Sequence, residues 1–299
     1  MTLPRTTAEA TVRSSAEAPE LVEPGRGGGL VGVLRRRYLL RLLVRKELRV
    51  RYQGSVLGMA WSYIKPAVQF GVYFFVVGLF LGLRDRIEDF PVYLFSGMVL
   101  IHFFIENFNS ATRSIVQNRS LIRKVYLPRE MFPVASLLVS CVHFLPQLVI
   151  LLLGALAAGW TPSPVGLGAS VLGFFIVATL GMAVGLLFAA FNVFYRDFEK
   201  IVDVLGIVIT WSAPMIYPWT AVRDVFGDGW LLQTYLANPL VTAVSLFQHA
   251  FWLPGTSGGF EFPPHLFVRG LISLGAILLL VGVAQFLFSR LNSRFAQEM

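Results

Sequence analysis

The chain has 299 residues, of which 56% are hydrophobic and 14% are charged, and its formal net charge is +8. This composition excludes an ordinary soluble domain and indicates an integral membrane protein. In such a chain a basic excess comes either from nucleic-acid binding or from loops kept at the cytoplasmic side of a bilayer. The distribution of Lys and Arg decides between these two explanations.

The N-terminal segment, residues 1–30, is rich in Ala, Glu, Pro, Ser and Gly. Such a segment buries too little apolar surface to offset its ordering entropy, so we predict a disordered cytoplasmic tail. It lacks the apolar core of a secretory signal peptide. After it we predict an amphipathic interface helix and link over 31–60, a membrane domain over 61–290, and a cytoplasmic C-terminal tail over 291–299.

The membrane domain is predicted to be all-α with six spanning helices. A helix rises about 1.5 Å per residue, so about 20 apolar residues cross the hydrocarbon core. The uncharged tract 131–195 is too long for one crossing, and prolines at 162 and 164 place its turn near 159–164. The predicted spans are 66–83, 90–105 with one further turn, two within 131–195, 204–222 and 270–289.

Residues 230–260 are also uncharged, but they do not predict a seventh span. The pairs Asn238-Pro239, Pro254-Gly255 and Gly258-Gly259 divide them into pieces too short to cross a bilayer. We therefore predict short re-entrant or interfacial helices between spans 5 and 6.

The basic residues alternate along the chain in the way that six spans require. Eight Lys or Arg lie within 35–51 and five within 113–129, followed by Arg196 with Lys200 and Arg290 with Arg294. The opposite loops hold only Arg84, Arg86, Arg223 and Arg269. The positive-inside rule therefore predicts that both termini are cytoplasmic, and it explains the basic excess without nucleic-acid binding.

The segment 34–52 predicts an amphipathic helix at the membrane surface. Apolar residues gather on one arc, namely Leu39, Leu40, Leu43, Val44 and Val50, and arginines recur every four residues from 37 to 49 on another. These arginines either hold anionic lipid headgroups or bind a substrate diphosphate directly. The sequence leaves both roles open.

Several segments together resemble the type-2 ABC permeases that export polysaccharides such as O-antigens and teichoic acids. They are Arg-Lys-Glu-Leu-Arg-Val-Arg-Tyr at 45–52, Ser-Val-Leu-Gly-Met-Ala-Trp at 55–61, Leu-Ile-Arg-Lys-Val-Tyr-Leu-Pro-Arg at 121–129, Tyr-Arg-Asp-Phe at 195–198, Ser-Ala-Pro-Met-Ile-Tyr at 212–217 and Asn-Pro at 238–239. The resemblance covers about 34–290. Within the family, the chain looks closest to the actinobacterial exporter of lipid-linked galactan, a cell-wall precursor.

The resemblance implies a homodimeric permease in the plasma (inner) membrane, joined by two copies of a separate ABC ATPase. It would move a polyprenyl-diphosphate-linked polysaccharide from the cytoplasm to the outer face. Six spans enclose too little space for a polymer path, which also favours a channel between two copies. The sequence has no Gly-rich phosphate loop, so we expect no cofactor on this chain, with ATP and magnesium bound by the ATPase.

Three groups of residues are candidates for these tasks. The substrate headgroup is assigned to Arg45, Arg49 and Arg51 with Tyr52, because arginine matches phosphate oxygens in bidentate fashion. The glycan path is assigned to aromatic residues that stack on sugar faces: Trp61, Tyr63, Phe70, Tyr73, Phe74, Trp211 and Tyr217. For each of these aromatics, core packing or lipid contact is the alternative.

ATPase coupling is assigned to two predicted cytoplasmic loops. Residues 118–127 predict a short basic and apolar helix ended by Pro128, which docks on the ATPase or is a solvated charged loop. Arg196 and Asp197 in the next cytoplasmic loop either brace the bundle or touch the ATPase. The coupling residues are Arg119, Ile122, Arg123, Tyr126, Arg196 and Asp197.

A membrane-embedded polyprenyl-dependent glycosyltransferase is the alternative function. It needs clustered carboxylates or histidines near the surface, whereas the four histidines show no ligand spacing. A secondary transporter needs ionisable residues within its spans. Glu106 is the exception in the predicted spans, and we place it at a hydrated position near the cytoplasmic end of its helix.

Overall fold

The computed structural model of the protein describes residues 29–125, 127–292 and 295. Most of the predicted tails, together with Tyr126 and Arg294, lie outside the described residues. Within the described ranges every regular element is helical and no strand occurs, which confirms the all-α prediction. Gly29 and Leu30, placed in the disordered tail by the sequence, begin the first helix.

Twelve α-helices follow each other in the described part of the chain. They are α1 (Gly29–Arg35), α2 (Arg37–Tyr52), α3 (Trp61–Tyr73), α4 (Phe90–Gln117), α5 (Arg119–Lys124), α6 (Met131–Ala157), α7 (Pro164–Phe194), α8 (Phe198–Ser212), α9 (Trp219–Phe226), α10 (Trp230–Leu236), α11 (Pro239–Phe251) and α12 (Leu266–Asn292). A 3-10 turn at Gly58–Ala60 and a π-helix at Phe74–Phe80 extend α3 at its two ends.

Five helices in the described residues are long and apolar enough to cross a membrane: Gly58–Phe80, α4, α6, α7 and α12. The first begins eight residues before its predicted start, so it includes Lys65, which hydropathy had placed outside the span. The turn between α6 and α7 lies where the prolines predict it. Ser163 accepts a hydrogen bond from the backbone N–H of Gly166 at 3.0 Å and so caps α7.

The span predicted at 204–222 has a different form. Helix α8 starts earlier and ends at Ser212, because Pro214 and Pro218 cannot continue a helix. The carbonyl of Pro214 accepts hydrogen bonds from the Tyr93 hydroxyl at 2.8 Å and from Gln248 Nε2 at 2.7 Å. These bonds stabilise a non-helical segment, so α8 has 15 residues instead of the expected longer helix.

Helix α4 is the most buried of the five spanning helices and lies at the centre of the bundle. It packs on α6, α7, α8 and α11, while α12 packs on the opposite side of α7. Helix α11 is almost wholly buried against α4, α7 and α12. It has 13 residues, about 20 Å of helix, which is too short to cross a bilayer.

Glycines bring α4 and α7 close together. A Cβ atom at Gly185 of α7 would lie 2.7 Å from the Cβ of Ala111 on α4, and one at Gly181 would lie 2.3 Å from Asn107 Nδ2. Only a residue without a side chain fits at such distances, as in small-residue helix contacts in membranes.

Helix α2 is amphipathic, as the residue pattern predicts. Leu40 and Leu43 are buried, whereas Arg41, Arg45 and Arg49 are exposed. The buried leucines belong to a core that includes α6 and α7 residues, and α2 packs on α6. Val50 is exposed, so the apolar arc ends before the last turn.

Candidate functional site

A cavity of about 670 Å³ lies between the end of α2, α3, α4 and α6. Its polar lining residues are Arg51, Tyr52, Ser55, Ser62, Lys65, Gln69, His102, Glu106 and Gln147. Six of these belong to the apolar spanning helices α3, α4 and α6 rather than to loops, namely Ser62, Lys65, Gln69, His102, Glu106 and Gln147. Polar side chains within spans are costly unless they face a partner or a hydrated space, so this cavity is the candidate functional site.

Arg51 is held at the cavity by residues of α4. Its Nη1 forms an ion pair with Glu106 Oε1, and its Nη2 donates to Ser110 Oγ at 2.9 Å. Because both acceptors lie on α4, the last turn of α2 is fixed against the central helix. The guanidinium therefore has a defined position at the cavity.

His143 of α6 joins Glu106 to Tyr52. Its Nδ1 contacts Glu106 Oε1 and its Nε2 lies 2.7 Å from the Tyr52 hydroxyl, which lies 2.5 Å from Ser62 Oγ. A consistent arrangement has Nδ1–H donating to Glu106 and the Tyr52 hydroxyl donating to Nε2. Residues from α2, α3, α4 and α6 thus form one hydrogen-bonded group.

Lys65 is the second cation at this cavity. Its side chain is exposed, and no hydrogen bond or ion pair joins it to any residue that the structure describes. Arg51, in contrast, already has a carboxylate partner in Glu106. Of the two cations, Lys65 is therefore the one without a carboxylate partner among the described residues.

A second polar layer, formed by Gln69, His102 and Gln147, lies one helical turn along α3, α4 and α6 from Lys65, Glu106 and His143. Gln69 Nε2 donates to the Tyr73 hydroxyl at 2.9 Å, and Gln69 Oε1 lies 3.0 Å from His102 Nε2. Gln147 is buried, with Nε2 donating weakly to the backbone carbonyl of His143 at 3.4 Å. This layer consists of uncharged donors and acceptors, whereas the neighbouring layer contains the charged residues Arg51, Lys65 and Glu106.

An apolar cleft of about 280 Å³ adjoins the polar cavity between α3, α4 and α6. Pro66 and Gln147 line both spaces, so the two are neighbours. The cleft is otherwise lined mainly by apolar and aromatic residues, including Tyr63, Phe70 and Phe95. A polar space and an apolar cleft side by side suit a ligand with a charged head and a hydrocarbon tail.

The predicted headgroup residues separate into two groups. Arg51 and Tyr52 line the cavity, whereas Arg45 and Arg49 are exposed on the outer face of α2 and do not line it. The structure therefore places two of the four predicted residues at the cavity.

The predicted aromatic path is divided among three surroundings. Trp61 lines the polar cavity and Tyr63 lines the apolar cleft. Phe70 and Phe74 stack at a centroid distance of 6.0 Å and pack on α4 through Phe95 and Phe90.

The remaining three aromatics form a group farther along the bundle. Tyr73 contacts Trp211 edge to face at 6.5 Å, and the Tyr217 hydroxyl donates to the Trp211 carbonyl at 2.8 Å. Trp211 keeps 55% of its surface exposed. This group lies between α3 and α8, and the hydrogen bond from Gln69 to the Tyr73 hydroxyl connects it to the second polar layer.

The predicted coupling helix is α5, and it follows α4 after a single residue, Asn118. Asn118 Oδ1 accepts from Lys46 Nζ at 2.6 Å, and its Nδ2 donates to Glu47 Oε1 at 3.0 Å. Since both partners lie on α2, Asn118 joins the start of α5 to the helix that carries Arg51.

The side chains assigned to coupling differ in accessibility. Ile122 is half-buried and packs on the core formed with α2, α6 and α7. Arg119 has a buried Nε with no hydrogen-bond partner among the described residues, whereas Arg123 is exposed. Arg196 and Asp197 are both exposed at the start of α8.

Bracing between α4 and α8 comes from Arg113, which the sequence analysis did not single out. Its Nη2 donates to both carboxylate oxygens of Asp203, at 2.8 and 2.9 Å. Glu199 lies 3.4 Å from Arg113 Nε and accepts from Asn192 Nδ2 at 3.1 Å. These bonds join α4, α7 and α8 at one end of the bundle.

Ion and hydrogen-bond contacts also fix the opposite end. The backbone N–H and hydroxyl of Ser257 donate to Glu88 Oε2 at 2.9 and 2.7 Å, which lowers the pKa of that carboxyl. The hydrogen bond from Arg223 to Glu261, at 3.0 Å, raises the pKa of the guanidinium. The Glu88 carboxylate and the Arg223 guanidinium are therefore both charged near neutral pH.

Sequence reasoning missed most of the polar residues that the cavity brings together. It left Lys65 outside the first span, treated Glu106 as an interface residue, and found no pattern among the histidines. The usable pattern is a pair of polar residues four apart on one helix: His102 with Glu106, His143 with Gln147, and Lys65 with Gln69. Each pair places two polar groups on the same helix face.

Comparison with known proteins identifies the family. A sequence profile described as ABC-2 type transporter matches residues 38–252. The chain belongs to the ABC-2 type transporter family. That match includes the cavity and the coupling helix, so the family resemblance read from the motifs is confirmed.

Relatives of this ABC-2 transporter chain include named polysaccharide exporters. The O-antigen export system permease protein RfbA of Klebsiella pneumoniae is 28% identical over 262 residues, covering 87% of this chain and 94% of the relative. RfbA of Myxococcus xanthus is 29% identical, covering 72% of this chain and 81% of the relative. The polysialic acid transport protein KpsM of Escherichia coli is 22% identical, covering 70% and 79%.

Proposed function

We propose that this chain is the membrane subunit of an ATP-driven exporter that moves polyprenyl-diphosphate-linked polysaccharide across the plasma membrane. The names of its relatives support export of polysaccharide, since they are permeases for O-antigen or transport proteins for polysialic acid. The resemblance of the motifs supports a cell-wall galactan or an O-antigen-like glycan as the cargo.

The observation that carries the lipid-linked part of the proposal is the pairing of two spaces. Cations at the polar cavity suit a diphosphate, because Lys65 offers an unpaired charge and Arg51 offers the guanidinium hydrogens that Glu106 and Ser110 leave free. The adjoining apolar cleft suits a branched hydrocarbon chain. Neither a free sugar nor a simple ion uses both spaces.

The exposed surface of the first spanning helix supports the proposal of a homodimer. No residue of α3 is buried, and Lys65 and Trp61 on α3 are exposed at the open cavity. A lysine within a span that faces lipid is costly. A second copy against α3 and α8 would enclose the cavity and its aromatic neighbours, giving a path between two protomers.

Energy is proposed to come from two copies of a separate ATPase, which bind ATP and magnesium. Helix α5 carries Arg123 and Lys124 in its last turn, and both are exposed. Its hydrogen-bonded connection to α2 through Asn118 gives a route from an ATPase surface to the substrate cavity. Arg196 and Asp197, exposed near the end of α7, are a second contact in this proposal.

The proposed topology has six crossings and cytoplasmic termini, with α2 at the inner interface. In addition to the five long helices, α8 is the fifth crossing in chain order. It is about 22 Å long and is completed by the non-helical segment 213–218. A cysteine at the exposed Asp228 is then expected to react with an impermeant reagent added outside cells, whereas one at Arg196 reacts only after permeabilisation. The reverse pattern would exclude this topology.

Arg51 gives the test of headgroup recognition. Lysine keeps the charge but loses the planar fork, so Arg51→Lys is expected to reduce export of the lipid-linked glycan by roughly tenfold, as one charge-assisted hydrogen bond implies. Assembly with the ATPase, measured by co-purification, is expected to stay normal. Export is measured as glycan at the outer leaflet of reconstituted vesicles.

The matched control is the pair Arg45→Lys with Arg49→Lys, which changes two exposed arginines of the same helix. We expect export by this control to be unchanged, because these residues lie outside the cavity. Normal export by Arg51→Lys would contradict headgroup recognition and leave α2 as a lipid anchor.

A further inference from the structure

The second polar layer of the cavity contains more hydrogen-bond acceptors than donors. His102 lies one turn from Glu106 on α4, and Gln147 lies one turn from His143 on α6. One turn of four residues is about 6 Å, close to the width of a sugar ring. This layer is therefore at the distance from Arg51 where the group attached to a bound diphosphate would lie.

The proton positions on His102 follow from its neighbour. Gln69 uses its N–H₂ group to bond Tyr73, so its oxygen faces His102 Nε2 at 3.0 Å. His102 Nε2 must then carry the hydrogen, which leaves Nδ1 as an acceptor. His102 Nδ1 is buried and has no hydrogen-bond partner among the described residues.

Gln147 has the same deficit. Its Nε2 donates to a backbone carbonyl, whereas its Oε1 is buried and has no partner among the described residues. Only 5% of the Gln147 surface is exposed. An unpaired acceptor in a protein interior within a membrane is unfavourable, and such groups are retained where they bind something.

The missing partners define the chemistry of the ligand. Both atoms accept, so the ligand must offer hydroxyl or amide hydrogens at this level. An ionised diphosphate has no hydrogen to donate at neutral pH. A cation would be repelled by Arg51 and Lys65 one turn away. A sugar offers several hydroxyl donors, and its C–H groups stack on aromatic rings such as that of Trp61, which lines the same cavity.

We propose that His102 and Gln147 form a subsite for hydroxyl or amide donors of the first sugar next to the diphosphate. Both acceptors are covered by protein, so binding requires rotation of the Gln147 amide, which breaks only its 3.4 Å hydrogen bond to His143, and of the His102 ring, which breaks its bond to Gln69. This inference rests on the proposed function, and it adds recognition of the sugar to recognition of the diphosphate.

The test compares two probes on the purified permease–ATPase complex in lipid nanodiscs. One probe is a polyprenyl diphosphate without sugar, and the other carries a single hexose. Wild-type protein is expected to bind the hexose probe about tenfold more tightly, as two neutral hydrogen bonds allow. In Gln147→Leu, which removes one of the two acceptors, this preference is expected to fall to about threefold, with binding of the sugar-free probe unchanged.

Gln285→Leu on α12 is the matched control, because Gln285 Oε1 is also a buried acceptor without a partner among the described residues, yet Gln285 does not line the cavity. Its preference for the hexose probe is expected to stay at the wild-type value. If Gln147→Leu does not fold, as judged by thermal unfolding, Gln147→Met of similar shape replaces it.

The outcomes separate the inference from the proposed function. Equal binding of both probes by the wild type, or an intact preference in Gln147→Leu, would overturn the sugar subsite alone. Loss of both probes in Gln147→Leu would show a structural role and would also overturn it. Failure of the wild type to bind either probe would instead count against lipid-linked substrate binding itself.

Discussion

Gly185→Ala is expected to lower the free energy of unfolding by about 1–3 kcal/mol, the usual range for overpacking a tight contact. The new Cβ would lie 2.7 Å from the Cβ of Ala111, and neither atom has a torsion that relieves the clash. The backbones of α4 and α7 must therefore separate. Because α4 carries Glu106 and His102, the cavity would be displaced as well.

Gly168→Ala on the same helix is the control. No heavy atom lies within 4 Å of a Cβ at that position, so alanine adds helix propensity without a clash. Thermal unfolding in detergent is expected to show a lower midpoint for Gly185→Ala and an equal or higher midpoint for Gly168→Ala. Equal stability of the two variants would contradict the close packing of α4 and α7.

Asn118→Ala is expected to separate ATP hydrolysis from export. Asn118 is buried and bonds to Lys46 and Glu47 of α2, and it also joins α4 to α5. Alanine removes both bonds to α2 while leaving the surface of α5 intact. We expect ATPase activity of the assembled complex to persist, while export falls at least roughly tenfold, as the loss of two hydrogen bonds to charged groups implies.

The neighbouring Gln117→Ala is a control at an exposed position of the same junction. The quantity to measure is glycan exported per ATP hydrolysed in reconstituted vesicles. Gln117→Ala should keep the wild-type ratio. An unchanged ratio in Asn118→Ala would contradict a coupling route through α2, and loss of complex assembly would show that Asn118 shapes the docking surface instead.

Hydropathy predicted most of the fold because the spans are long uncharged runs with prolines and glycines between them. It failed where a contact between distant residues decides the structure. Helix α8 ends at Ser212, before Pro214 and Pro218, and the non-helical segment after it is held by hydrogen bonds from Tyr93 and Gln248, which are distant in sequence. The start of the first span was misplaced because a lysine in sequence indicates the end of a membrane span. The structure shows instead that Lys65 lies within the helix and lines the polar cavity.

The candidate site was predicted less completely, for a related reason. Five arginines on α2 look alike in sequence, and only the packing of α2 on α6 shows that Arg51 lies at the cavity while Arg45 and Arg49 face outward. In the sequence, each polar residue inside a span was interpreted without regard to other polar residues on the same helix face. Taken as pairs four residues apart, His102 with Glu106 and His143 with Gln147 point to one shared polar face on each helix.

Aromatic content was the least discriminating guide to the path. Phe74 packs against Phe90 of α4 and lines neither the cavity nor the cleft, whereas Phe70 packs against Phe95 and also lines the cleft. Sequence cannot distinguish such residues from Trp61, whose ring lines the cavity, because both occur on the same helix within a few turns. The distinction depends on the rotation of α3 relative to α4.

The most direct test of the central claim is transport by the purified permease and its ATPase in proteoliposomes that contain a polyprenyl-diphosphate-linked polysaccharide. The glycan is detected with an impermeant lectin or by periodate oxidation at the face opposite to the ATPase. We predict that glycan reaches this face only with ATP, and that the same glycan without its lipid diphosphate is not moved. Transport without ATP, or equal transport of the lipid-free glycan, would contradict the proposed function.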